Sequence, residues 1–160
     1  MSVTRTNNLP KNPAELLAVY TDESYLTEKY AALGNRNFQF VSCNTSGNVT
    51  TLHQKREVHS DVPSFAKKLI NEWSTVEETW VWTNNGDSLS GALEAAVQGA
   101  PVKISGTSSV AADGNGSKES IVMEASVNVP LIGKKLKAKA EEDIADSMAE
   151  EDAFNQKYMG

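Results

Sequence analysis

The stretch from Pro130 to Met159 constrains this chain most, because it reads as one long amphipathic helix that follows a series of short strands. Pro130 suits a first helical position, where a missing N–H is no loss, and Gly160 is a poor continuer. At ~100° per residue, Ile132, Leu136, Ala140, Ile144, Phe154 and Tyr158 gather on one side, with Met148 at its edge. Lysines and carboxylates cover the rest. A helix this long does not rest on propensity alone; its apolar stripe needs a partner surface. The strands before it supply one.

Those strands announce themselves by period and by turn chemistry. Ser2 to Leu9 alternates weakly as a first strand. Asn12 then caps a short helix, with Pro13 at its first position and Glu15 in its first turn. Asp22 caps a second helix, Glu23 to Leu33, which Gly34 closes. From Arg36 the period becomes two. Strands are expected at 37–44, 49–58, 72–83, 88–97, 102–110 and 119–129, with Ser46-Gly47-Asn48, Asn84-Asn-Gly-Asp, Gly99-Ala-Pro and Asp113-Gly-Asn-Gly as turns. Phe65-Ala-Lys-Lys-Leu-Ile is the one helical interruption. Sequential strands joined by tight turns form an antiparallel meander, and a twisted meander curls until one face grips a helix. The fold class is therefore α+β: a curved antiparallel sheet gripping a long C-terminal α-helix, with a short helix pair after the first strand.

At 160 residues the chain is expected to form one domain with a sizeable core. No apolar run approaches membrane-spanning length, so stable membrane insertion is not expected. The first residues lack the apolar segment of a secretory signal. A single cysteine, Cys43, fits a reducing compartment, and the expected location is the cytoplasm. A net charge of −6 argues against a duplex-wide nucleic-acid footprint, so no nucleic-acid partner is expected.

Parity and spacing place several polar residues among apolar ones. Gln54 and Arg56 share a strand face with Leu52 and Val58, and Glu78 shares one with Val76, Trp80 and Trp82. If the two strands pair in sequence order, Arg56 and Glu78 meet beneath the helix; a register slip would put both in water. Small residues, Gly133, Ala140 and Ser147, recur at heptad spacing on the helix, where they leave room for a ligand or let the helix sit close to the sheet. Glu151 also falls within the helix's apolar sector. Lys134, Lys135, Lys137 and Lys139 read chiefly as a solvated face, with docking to anionic lipid as the functional alternative; Lys137–Glu141 and Lys139–Asp143 are i,i+4 pairs. His53 and His59 are the only histidines, too far apart to share a metal. No metal site, catalytic signature or cofactor motif emerges.

Four stretches carry a resemblance: Tyr25-Leu-Thr-Glu-Lys-Tyr-Ala-Ala-Leu-Gly34, Val62-Pro-Ser-Phe-Ala-Lys-Lys-Leu69, Gly99-Ala-Pro-Val-Lys-Ile-Ser-Gly-Thr107 and Val127-Asn-Val-Pro-Leu-Ile-Gly-Lys-Lys135. With the order of elements, they make the chain similar to the START-like (SRPBCC, helix-grip) superfamily and, within it, to the bacterial family called domain of unknown function 2505. The likeness covers essentially the whole chain. It implies a cavity between sheet and terminal helix, used across the superfamily for apolar small molecules; some relatives are enzymes, others transporters or co-chaperones. On this reading Leu52, Gln54, Arg56, Glu78, Trp80 and Trp82 wall the cavity from two strands. Leu93, Ile104 and Met123 wall it from the next three, and Leu136, Ala140, Ile144 and Met148 from the helix. The leading expectation is a non-enzymatic carrier of a lipid, isoprenoid or polyketide-like molecule. The rivals are a cyclase- or hydrolase-type enzyme working through Arg56 and Glu78, and a protein-interaction module using the sheet–helix groove.

Overall fold

The computed structural model describes residues 2–160. Strand β1 (Val3–Leu9) leads into helices α1 (Pro13–Tyr20) and α2 (Glu23–Ala32). Strands β2 (Arg36–Ser46) and β3 (Val49–His59) follow, then a 3₁₀ turn at Ser64–Ala66, then β4 (Trp73–Asn84), β5 (Ser88–Val97), β6 (Val102–Asp113), β7 (Gly116–Val127) and finally α3 (Gly133–Met159). The seven strands form one antiparallel sheet in the order β1-β7-β6-β5-β4-β3-β2. Hairpins generate six consecutive neighbours, and β1 pairs with the last strand to complete the sheet.

Local chemistry sets the helix ends. Asn12 and Glu15 form a capping box, each side chain accepting from the other's backbone N–H at 2.8 and 3.0 Å. The Asp22 carboxylate accepts from the Tyr25 N–H at 3.0 Å. At the end of α2 the N–H of Asn35 reaches the Tyr30 carbonyl and that of Gly34 the Ala31 carbonyl. Gly34 takes φ 78, the left-handed closure that glycine adopts without penalty. Two register irregularities between β2 and β3, near Asn37 and Val41, help to bend that edge of the sheet.

The terminal helix begins later than its sequence suggests. Pro130 lies outside it, and the first helical residue is Gly133. The Ile132 N–H bonds the Pro130 carbonyl at 2.8 Å, a three-residue turn with Leu131 at its centre at φ 69. A tight turn interrupts the run where periodicity alone reads a continuous helix.

The helices divide the sheet's concave face among them. α1 packs over β4, β5 and β6, burying Leu16 with Leu9, Trp82, Leu89 and Val110. α2 packs against β2, burying Tyr25, Leu26 and Tyr30 with Leu52. α3 packs on β7 and β1. Leu136 and Met148 are buried on α3, and Tyr158, partly exposed, sets its ring against those of Tyr25 and Phe154. Because α3 rests on the β1–β7 side, the central strands are left with space between them and the helix.

Candidate functional site

That space is a cavity of about 250 Å³. Its apolar wall comes from inward positions of adjacent strands, among them Leu52, Val76, Trp80, Leu93, Ile104 and Met123. Two glycines let large side chains lie flat there. A Cβ on Gly91 would collide with the Trp82 ring directly across the ladder, and one on Gly106 with the Met123 sulfur. Trp82 also stacks on Trp80, with centroids 4.8 Å apart, and on Tyr20 at 5.4 Å. Ala140, Ile144, Ser147 and Met148 face the strands from α3.

Of the residues singled out by sequence as the cavity wall, one is misplaced. Leu136 is fully buried but does not line the cavity; one helical turn before Ala140, it packs in the core. Gln54, Arg56, Glu78, Trp80 and Trp82 all contribute to the wall, as do the strand and helix positions just named. Gly133 lies outside it, near the Val127 carbonyl.

One side of the wall is charged. Gln54 pairs with Glu78 across β3 and β4, and Arg56 is one inward position further on. The Arg56 guanidinium donates to Glu78 Oε1 and, through Nε, to Asn35 at 2.9 Å. Glu78 Oε1 also accepts from Gln54 at 2.7 Å and from the Tyr30 hydroxyl at 3.3 Å. None of the described hydrogen bonds reaches Glu78 Oε2. Burial pushes this carboxyl up, but Arg56, Lys29 and the donated bonds outweigh burial and hold it below the ordinary glutamate value, so it is ionised.

Lys29, which sequence reading did not select, adds a second buried cation. Its ammonium lies 4.6 Å from the Tyr30 ring centre, 5.3 Å from that of Tyr25, and 3.1 Å from Glu151. Arg56 stands over the Tyr30 ring as well, at 4.2 Å. Burial disfavours the Lys29 charge, yet Tyr25, Tyr30 and Glu151 hold its pKa above the usual lysine value. The signal was present: Tyr25, Leu26, Lys29 and Tyr30 follow one helical stripe.

Glu119 is a second buried carboxyl, in a different environment. It accepts from Tyr20 at 2.9 Å and from Ser108 at 2.8 Å and has no ion-pair partner among the described residues. Burial raises its pKa, and the Ser108 and Tyr20 hydrogen bonds only partly offset that. It shares strand parity with Ile121 and Met123, which line the same cavity. Gln54 Oε1 and the Trp82 indole N–H, both on wall side chains, are buried without a partner among the described residues.

One end of the cavity lies between α3 and the segment joining β3 to β4. Ser60, Val62, Pro63 and Ile70 line it on one side, Lys139, Ala140 and Asp143 on the other. The Ser60 hydroxyl donates to Asp143 at 3.1 Å, and Lys139 donates to Asp143 at 2.7 Å. The histidines lie elsewhere: His53 bonds Glu77 and His59 bonds Glu72. No cluster of three metal-ligating side chains occurs among the described residues. No helix there is long and apolar enough to cross a membrane.

A curved antiparallel sheet, a long C-terminal helix across it and two short helices after the first strand define the START-like, helix-grip fold. Solved structures share this architecture. TTHA0849 from Thermus thermophilus matches with TM-score 0.65 at 11% identity, over 100% of both chains. A STAR-related lipid transfer protein from Xanthomonas axonopodis (fragment 25–204) matches with TM-score 0.56 at 12% identity, over 86% of this chain and 78% of that one. Ara h 8.0201 matches with TM-score 0.51 at 12% identity, over 96% and 97%. At these identities the likeness shows the fold. Residues 4–159 match the family described as Protein of unknown function (DUF2505), and the chain belongs to that family. No curated protein sequence matches it.

Proposed function

We propose that this protein binds a compact small molecule, apolar along most of its length and polar at one end, and carries it between sheet and α3. The observation that carries this reading is the cavity's division into an apolar wall built on Trp80, Trp82, Leu93, Ile104 and Met123 and a charged side built on Arg56, Glu78 and Lys29. An apolar cavity of about 150 Å³ accepts one benzene ring. At about 250 Å³ this one has room for a larger guest. Glu78 Oε2 offers an acceptor for a guest hydroxyl or N–H. The fold shared with a STAR-related lipid transfer protein supports an apolar ligand, and the lone Cys43 fits a cytoplasmic setting.

Native mass spectrometry of protein purified from its own source, with organic extraction of bound material, tests the proposal. A stoichiometric adduct of metabolite or lipid mass is expected. An unliganded mass, together with no saturable uptake of an apolar dye, would contradict it. The open oxygen of Glu78 favours one second reading, an enzyme with Glu78 as base. Turnover of the extracted molecule, abolished in Glu78→Gln while its binding persists, would establish that reading instead.

A further inference from the structure

Around the start of α3, large apolar side chains stand in solvent. Leu131 is fully exposed (relative exposure 103%) and sits at φ 69, in the centre of the bonded turn between Pro130 and Ile132. That left-handed three-residue turn is the rare, strained form, and a branched aliphatic residue is poorly suited to it. Phe65, in the 3₁₀ turn between β3 and β4, is another exposed large apolar residue, and Lys135 lies 5.7 Å from its ring centre, bridging the two segments. Lys134 and Lys135 on α3 and Lys67 and Lys68 after the 3₁₀ turn are all exposed and make no ion pair with a described residue. Lysines in the first turn of α3 also oppose its dipole. Against these four cations stand Asp61 and Glu72 in the same segment and Glu142 on α3. The remainder of α3 is acidic, and the chain as a whole carries −6, so positive charge is concentrated at this end.

We propose that this end is a docking surface for an anionic lipid bilayer, with Leu131 and Phe65 entering the interface and Lys67, Lys68, Lys134 and Lys135 meeting the headgroups. Two exposed apolar tips ringed by unpaired lysines match a surface whose outer layer is negative and whose next layer is hydrocarbon. Phe65 follows Val62 and Pro63, which line the cavity, and Lys135 lies one helical turn before Lys139, which lines it too, so docking sets this end of the cavity beside the bilayer. This inference rests on the carrier reading and names the source from which the guest is drawn.

The test is sedimentation of the full chain with vesicles of phosphatidylcholine alone and of phosphatidylcholine mixed with phosphatidylglycerol. Binding to the mixed vesicles only, weakened by added salt, is expected. Replacing Lys134 or Lys135 by Gln should weaken it by about fivefold each. Leu131→Asn separates docking from folding. Asparagine tolerates the left-handed region better than leucine, so the melting temperature should hold or rise while vesicle binding falls. Equal partition to both vesicle types, or binding unchanged in Leu131→Asn and the lysine variants, would overturn the proposal. So would capture by an acidic protein with no vesicle binding. Saturable uptake of a soluble apolar dye in the same preparations, without vesicle binding, would refute docking while leaving the carrier reading intact.

Discussion

Glu78 and Glu119 are carboxyls of one cavity whose pKa values are shifted in opposite directions. For Glu78 the folded pKa lies below its unfolded value, so its contribution is present above the ordinary glutamate range and is lost as pH falls through the folded pKa. For Glu119 the folded pKa lies above the unfolded value, so its contribution is present below the ordinary range and is lost as pH rises through the folded pKa. Glu119→Gln should therefore remove the part of the stability loss seen as pH rises above the glutamate range, measured as urea midpoints across pH. Glu78→Ala leaves Arg56 charged, buried and without its carboxylate. It should cost about 3–5 kcal/mol in urea denaturation at neutral pH. How far such residues can be read from sequence depends on the element that carries them. Strand parity put Arg56, Gln54 and Glu78 on faces with apolar residues, because a side chain's side is fixed by its position in a strand. Lys29 lies in an apolar helical stripe, yet lysine in a short helix reads as solvated. Only the approach of α3 to α2 brings its ammonium to Glu151.

α3 does two jobs along one face. Leu136 is packed into the core, while Ala140, Ile144 and Met148 border the cavity. Leu136→Ala should cost about 2–5 kcal/mol of stability and leave dye affinity within about twofold, whereas a wall substitution should do the reverse. Thermal melts and dye titrations on the same protein separate the two. In β5, Gly91→Ala would force the Trp82 ring off its flat position and should destabilise by about 1–3 kcal/mol through overpacking. The strands were legible because alternation and Gly- or Asn-bearing turns mark them. The start of α3 was not, since Pro130 suits the first position of a helix as well as it suits the turn before one. Periodicity carries no record of the Ile132–Pro130 hydrogen bond.

At the scale of the molecule, the site arises from how the helices share one concave face. α1 and α2 fill it over β2 and β4 to β6, α3 takes the β1–β7 side, and the cavity is what remains between them. The order of elements, with the four stretches of resemblance, made the fold legible. The charged side of the cavity draws on α2, β3, β4 and α3, whose convergence is a tertiary fact. The central claim is that this space takes a guest, and one measurement addresses it most directly: titration of an apolar fluorescent probe into the wild-type chain and into Ala140→Phe, with a melt of each. Saturable one-to-one binding by the wild type is expected, with at least a tenfold loss in the variant and melting temperatures that agree closely. Equal binding by both proteins would place the guest elsewhere, and no saturable binding by the wild type would contradict the claim itself.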